Sequence, residues 1–154
     1  MENVWNYPRP PVVEPCPSHV RVDLAGQTLA DSHRALRVLE TSHPPTIYVP
    51  RVDVRMGLLE LSRQRGSWCE FKGEAVYVDA LIADRRYEAV AWMYRQASPG
   101  YEALNGHLAF YPGRVDAAWL DEERVRAQDG DFYGGWISAE VAGPFKGASG
   151  TSRW

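Results

Sequence analysis

Apolar and polar residues alternate with a period of two in several stretches of the chain, the pattern of strands buried on one face. Val20, Val22 and Leu24 alternate with Arg21 and Asp23, and Ala25-Gly26-Gln27 supplies a turn into Thr28-Leu29-Ala30, which predicts a hairpin. A second extended run covers Ala35 to Glu40, and Pro44-Pro45 precedes a short strand, Thr46 to Val49, that stops at Pro50. Strand character returns from Trp68 to Val78, where Cys69, Phe71, Ala75 and Tyr77 share one face and Gly73 marks a bulge or a close approach. Tyr87 to Tyr94 predicts a further strand, with Trp92 and Tyr94 on the face opposite Ala91 and Met93. His107 to Tyr111 gives another, closed by Pro112-Gly113, and 117–125 holds one more short element.

Helical signals are few. Asp53 stands where it would cap a turn or two of helix, which Gly57 weakens, and Ser98-Pro99 resembles a cap with proline at the first helical position. The pattern therefore predicts a mainly β fold: one compact domain of antiparallel sheets with one or two short helices and extended arms at both ends. The N-terminal arm, 1–19, carries Pro8, Pro10, Pro11, Pro15 and Pro17, which remove amide donors and exclude a helix or a central strand. The β domain then spans 20–128. A glycine-rich arm, 129–154, has Trp136, Phe145 and Trp154 as isolated anchors.

Composition narrows the function classes. A chain of 154 residues with a formal net charge of -3 carries no electrostatic footprint for nucleic acid or an anionic membrane, and neither partner is expected. Basic residues are interleaved with acids, as in Asp84-Arg85-Arg86, so they read as a solvated face. Cys16 and Cys69 lack the close spacing of a zinc motif, and no metal or cofactor is expected. The N-terminus lacks the basic start and apolar run of a signal peptide, which points to a cytoplasmic location.

Several motifs occur in order: Ala30-Asp31-Ser32, Leu39-Glu40-Thr41, Pro44 to Pro50, Arg51-Val52-Asp53-Val54, Cys69 to Gly73, Ala91-Trp92, and Leu108 to Pro112. In that order and spacing the chain resembles the domain-of-unknown-function 427 family, sometimes labelled nucleotidyltransferase-like. Gly134-Gly135-Trp136-Ile137 with Gly143 to Gly147 resembles an actinobacterial branch of it. The resemblance implies a compact pair of antiparallel sheets similar to the β-tent group, and it implies no established activity. Many members have proline after the cysteine, where this chain has Glu70. The transferase label finds no support in the residues. No Gly-Ser followed by paired aspartates brackets a phosphate-bound metal, and Lys72-Gly73 falls far short of a phosphate loop.

The candidate chemistry sits at strand ends, where loops meet a rigid scaffold. Asp31 is either a carboxylate presented to a ligand or ion, or the acceptor of a local turn. Arg51 and Asp53 flank Val52, so an extended backbone points both to one side, as a structural pair or with donors left for an anion. Cys69 is a candidate nucleophile if a base lies near, and otherwise a small apolar residue. The catalytic candidates are thus Asp31, Asp53 and Cys69. Tyr48, Arg51, Lys72, Trp92 and Tyr111 are the candidate ligand-binding residues, since aromatic rings with polar tips line pockets as well as cores.

These residues favour a small-molecule binding or sensing domain for a polar or anionic ligand. Two alternatives stand beside it: an enzyme using aspartate acid/base or metal chemistry, and an interaction module. In the last, the aromatic C-terminal arm docks on a partner, and the terminal arms could pair two copies.

Overall fold

The computed structural model describes residues 1–63, 66–69, 72–130 and 132–154. In chain order its strands are β1 (Glu2–Asn3), β2 (Val12–Pro15), β3 (Val20–Leu24), β4 (Gln27–Ser32), β5 (Leu36–Leu39) and β6 (Thr46–Pro50). They continue with β7 (Leu59–Leu61), β8 (Ser67–Cys69), β9 (Gly73–Ile82), β10 (Arg85–Tyr94) and β11 (His107–Phe110). The last are β12 (Ala117–Leu120), β13 (Glu123–Arg124), β14 (Arg126–Ala127), β15 (Trp136–Ile137) and β16 (Val141–Ala142). The larger sheet runs β2-β5-β6-β11-β10-β9-β7, with β8 also on β9, and the smaller runs β13-β12-β3-β4. Every ladder within these two sheets is antiparallel.

Alternation along each strand sorts side chains between two cores. Val20, Val22, Leu24 and Leu29 of the smaller sheet meet Ile47, Val49, Val78, Ala91, Leu108 and Phe110 of the larger one, and together they form the main core. On the opposite face of the larger sheet, the intervening residues Tyr48, Trp92, Tyr94 and Ala109 gather with Tyr111 and Leu104 in a second, aromatic cluster. Period two thus builds a two-layer sandwich and, behind it, an aromatic face. Within β10 the register shifts between Tyr87 and Ala91, and Ala89 takes a left-handed φ of 47°. The buried Asp79 carboxylate on β9 holds this bulge, accepting from the Ala89 N–H at 2.7 Å and from Arg86 Nη1 at 2.7 Å.

Four sequence expectations change. First, the proline-rich N-terminus is not outside the fold, because Val12–Pro15 pairs with β5 as the edge of the larger sheet. An edge strand tolerates proline, since one side of it needs no donors. Arg37 ties this region down further by bonding both Glu14 and Glu2. Second, the run from Trp68 to Val78 is two strands, β8 folding back on β9 with Cys69 opposite Gly73. Third, the short helices are single 3₁₀ turns, at Arg51–Asp53, Met56–Leu58 and Glu102–Leu104 among others. Fourth, the residue entering Met56–Leu58 is Arg55 rather than Asp53. No helix among the described residues is long and apolar enough to cross a membrane.

The C-terminal segment packs on the body of its own chain. Trp136 is 1% exposed within the main core, and its Nε1 donates to the Phe110 carbonyl at 3.0 Å. Phe145 lies against the cluster of Val4, Tyr7, Leu39, Ile137 and Val141. Trp154 meets Trp5 edge-on, with ring centroids 5.2 Å apart.

Candidate functional site

The aromatic face of the larger sheet encloses a cavity of about 120 Å³. Tyr48 from β6, Ala75 from β9, Trp92 and Tyr94 from β10, and Tyr111 just past β11 form its floor and walls. Tyr48 faces it because Ile47 and Val49 on either side are taken by the main core, and Trp92 because Ala91 and Met93 are. Trp92 Nε1 donates to the Tyr48 hydroxyl at 3.3 Å. The Trp92 ring meets Tyr111 with centroids 4.6 Å apart, and the Arg114 guanidinium sits 4.0 Å over the same Tyr111 ring. Burial, foremost, with the neighbouring Tyr77, pushes the Tyr111 phenol well above its ordinary range, so it stays a neutral hydrogen-bonding group.

Polar groups enter from three loops. Lys72, 12% exposed at its side chain, places Nζ 3.7 Å from the Glu40 carboxylate, itself 21% exposed. His43 lines the same cavity, and its Nδ1 bonds the Thr41 carbonyl at 2.8 Å. A carbonyl only accepts, so the proton lies on Nδ1 and Nε2 is left as the acceptor. Burial pushes the His43 pKa down; the Thr41 carbonyl and Glu40 oppose this, while Lys146 and Lys72 reinforce it. His43 is therefore a neutral imidazole near two lysines. Gln128 closes one side, donating from Nε2 to the Lys146 carbonyl at 2.6 Å and accepting from the Gly135 N–H at 3.2 Å. Phe132, Tyr133 and Gly134 complete the lining.

The structure brings Tyr48, Lys72, Trp92 and Tyr111 to this one cavity. It does not bring Arg51, which is exposed and lines a separate hollow of about 450 Å³ with Met56, Glu60 and Arg95. Nor does it bring the two aspartates. Asp53 accepts two bonds from Arg34, both at 2.9 Å, and one from the Ser32 hydroxyl at 2.7 Å. Asp31 lies 2.5 Å from His19 Nε2. Cys69 falls in β8, and its side chain, like Glu70 and Phe71, is outside the described residues. Tyr94 was visible in sequence as an alternating aromatic, while Glu40 and His43 flank the Thr41-Ser42 turn. Gln128 and Tyr133 carry no local signal, since their partners are distant in the chain, and Gly134 was visible only as part of the Gly134 to Ile137 motif.

The Asp53 pair has a consequence in acid. The Arg34 bonds, then the Ser32 hydroxyl, outweigh desolvation and hold its carboxyl at about 2. An unfolded aspartate titrates at about 3.9. Because the folded value is the lower one, the pair stabilises the fold fully above about pH 4 and fades as pH falls through about 2. Asp53→Asn is expected to abolish that part of the acid dependence. Urea midpoints of both proteins at about pH 5 and about pH 2.5 measure it, the gap between them narrowing at the lower pH.

Residues 12–121 match the family described as a domain of unknown function, DUF427. The chain belongs to that family. A search of curated proteins returned no match. The DUF427 region runs from the edge strand β2 through the turn after β12, so it contains the larger sheet, all of the smaller sheet but β13, and the cavity's floor. Gln128, Phe132, Tyr133 and Gly134 lie beyond it, as does the core residue Trp136. In this chain, then, the DUF427 sheet supplies the aromatic floor and the following segment supplies the cover.

Proposed function

We propose that the aromatic cavity binds a small polar or anionic molecule. The observation that carries this reading is the convergence of Lys72, a neutral His43 and the hydroxyl-bearing rings of Tyr48 and Tyr111 on one half-open cavity. Core packing alone needs neither a lysine nor a histidine there. A site that mixes aromatic walls with a few polar groups suits a ligand with a flat apolar body and a charged or polar end. Its volume of about 120 Å³ sets the scale. An apolar cavity of ~150 Å³ takes up a benzene ring, so the occupant has roughly that number of heavy atoms. Among the described lining residues Lys72 is the one cation and none is a carboxylate, which favours an anionic end.

The test is a thermal-shift and calorimetric screen with acetate, inorganic phosphate, benzoate and 4-hydroxybenzoate, with benzamide as the uncharged counterpart. A planar carboxylate is expected to raise the unfolding temperature in a dose-dependent way and to quench tryptophan fluorescence, a quench lost in Trp92→Phe. Lys72→Met is expected to weaken that binding about ten-fold, the scale of one lost charge-assisted hydrogen bond. If no probe protects the fold, or if the best one binds Lys72→Met and Trp92→Phe as tightly as wild type, the cavity is packing and the reading is wrong.

A further inference from the structure

His19, Asp31 and His33 form a second cluster, separate from the aromatic cavity. It originates in the register of the β3–β4 hairpin. Val20 lies opposite Ser32 and Arg21 opposite Asp31, so one step further along, His19 comes against His33. The two-residue period then puts His19, Asp31 and His33 on one face of the smaller sheet. The side chains follow this placement. The two imidazoles stack with centroids 4.2 Å and planes 12° apart, and His19 Nε2 lies 2.5 Å from Asp31 Oδ1. One donor atom from each of the three residues lies within 4.8 Å of the others.

Neighbouring charges leave this cluster to itself. Arg21 is opposite Asp31, yet its Nε donates to Asp23 at 3.2 Å and its guanidinium lies 5.1 Å over the Trp119 ring. Asp53, close enough to bear on His33, is committed to Arg34 and Ser32. The backbone of His19 is fixed from both sides by Asp121: its N–H donates to the Asp121 carboxylate at 2.9 Å, and its carbonyl accepts from the Asp121 N–H at 2.7 Å.

The geometry points to a divalent transition-metal site in which His19, Asp31 and His33 are the three protein ligands. Two imidazole nitrogens and one carboxylate oxygen suit zinc, nickel, cobalt or copper(II), whereas magnesium and calcium take oxygen donors. Metal–ligand bonds of ~2.0–2.2 Å set tetrahedral donors about 3.3 Å apart, so the His19–Asp31 pair opens slightly and the exposed His33 ring closes in by rotating about its side-chain bonds. Asp31 is 58% exposed and His19 33%, so the open side faces solvent. The bound ion would keep coordination positions for water or for a ligand, as catalytic zinc sites do and closed structural ones do not.

The full chain, stripped with a chelator and titrated near neutral pH with Zn²⁺ by calorimetry and with Co²⁺ by visible absorption, decides the matter. The expected result is one equivalent bound with micromolar affinity. His33→Ala and Asp31→Asn should each weaken it by at least ~10-fold, while His107→Gln, on another strand, leaves it unchanged. All three ligands sit at the surface, and thermal unfolding of each variant without metal checks that it folds. Wild-type binding weaker than ~1 mM, or full affinity in a His19→Ala/His33→Ala double variant, overturns the assignment.

Discussion

Trp136→Ala should destabilise the fold by about 3–5 kcal/mol, the range for truncating a fully buried large aromatic. The indole fills the main core beside residues of both sheets, and its removal also takes the donor from the Phe110 carbonyl. Cavity and lost hydrogen bond act in the same direction. Phe132→Ala is the internal comparison, because Phe132 is an exposed ring on the same segment, and the change should stay within about 0.5 kcal/mol. Urea unfolding of both variants measures the difference. Equal and small effects would mean that the segment after the DUF427 region is an appendage. The large asymmetry expected here means that it is an integral part of this domain.

That result bears on where the candidate site comes from. Trp136 anchors the segment through its ring and through its backbone N–H, which donates to the Pro45 carbonyl at 2.8 Å. Gly135 lies immediately before it, and a Cβ there would fall 2.4 Å from the Pro44 ring and 2.6 Å from Gln128 Oε1. The anchor and the close approach together fix Tyr133 and Gly134 over the cavity. Core stability and site geometry are coupled through one short stretch of chain.

Much of this was legible in sequence wherever the signal is local. Val20, Val22 and Leu24 announce the β3–β4 hairpin by alternation alone, and the same rule puts Trp92 and Tyr94 on the face opposite Ala91. Tyr48 could be picked out by its place beside Pro50, and Lys72 by its motif. What failed was each inference that needed a distant partner. Asp53 reads as a cap locally, but Arg34 claims its carboxylate from across the fold. Arg51 and Asp53 read as pointing to one side of an extended backbone, but Arg51–Asp53 is a 3₁₀ turn, and the Arg51 side chain serves another hollow. The prolines of the N-terminal arm argue against a central strand and say nothing about an edge. Lys72 and Glu40 are brought together only by the packing of two loops.

Gly134→Ala should abolish the binding proposed for the aromatic cavity, lowering the best probe's affinity by about 100-fold or more, because interiors this closely packed cannot absorb a new methyl without movement. A Cβ on Gly134 would fall 2.3 Å from Trp92 Cη2 and 2.4 Å from its Cζ3, far inside contact distance. Glycine is required here for space. The indole cannot simply step aside, since Tyr48 holds its Nε1, Tyr111 packs against its face and Gly134 covers its edge. Either the ring moves into the cavity or the cover of Phe132 to Gly134 lifts away from it, and both destroy the enclosed shape. The accompanying loss of stability should be about 1–3 kcal/mol, the usual range for overpacking and below that expected of Trp136→Ala. Calorimetric titration with the best probe for wild type, beside urea unfolding, separates the two quantities. Retained affinity in Gly134→Ala would place the ligand elsewhere, whereas lost affinity with a still-folded protein ties binding to the enclosure that Gly134 and Trp92 form together.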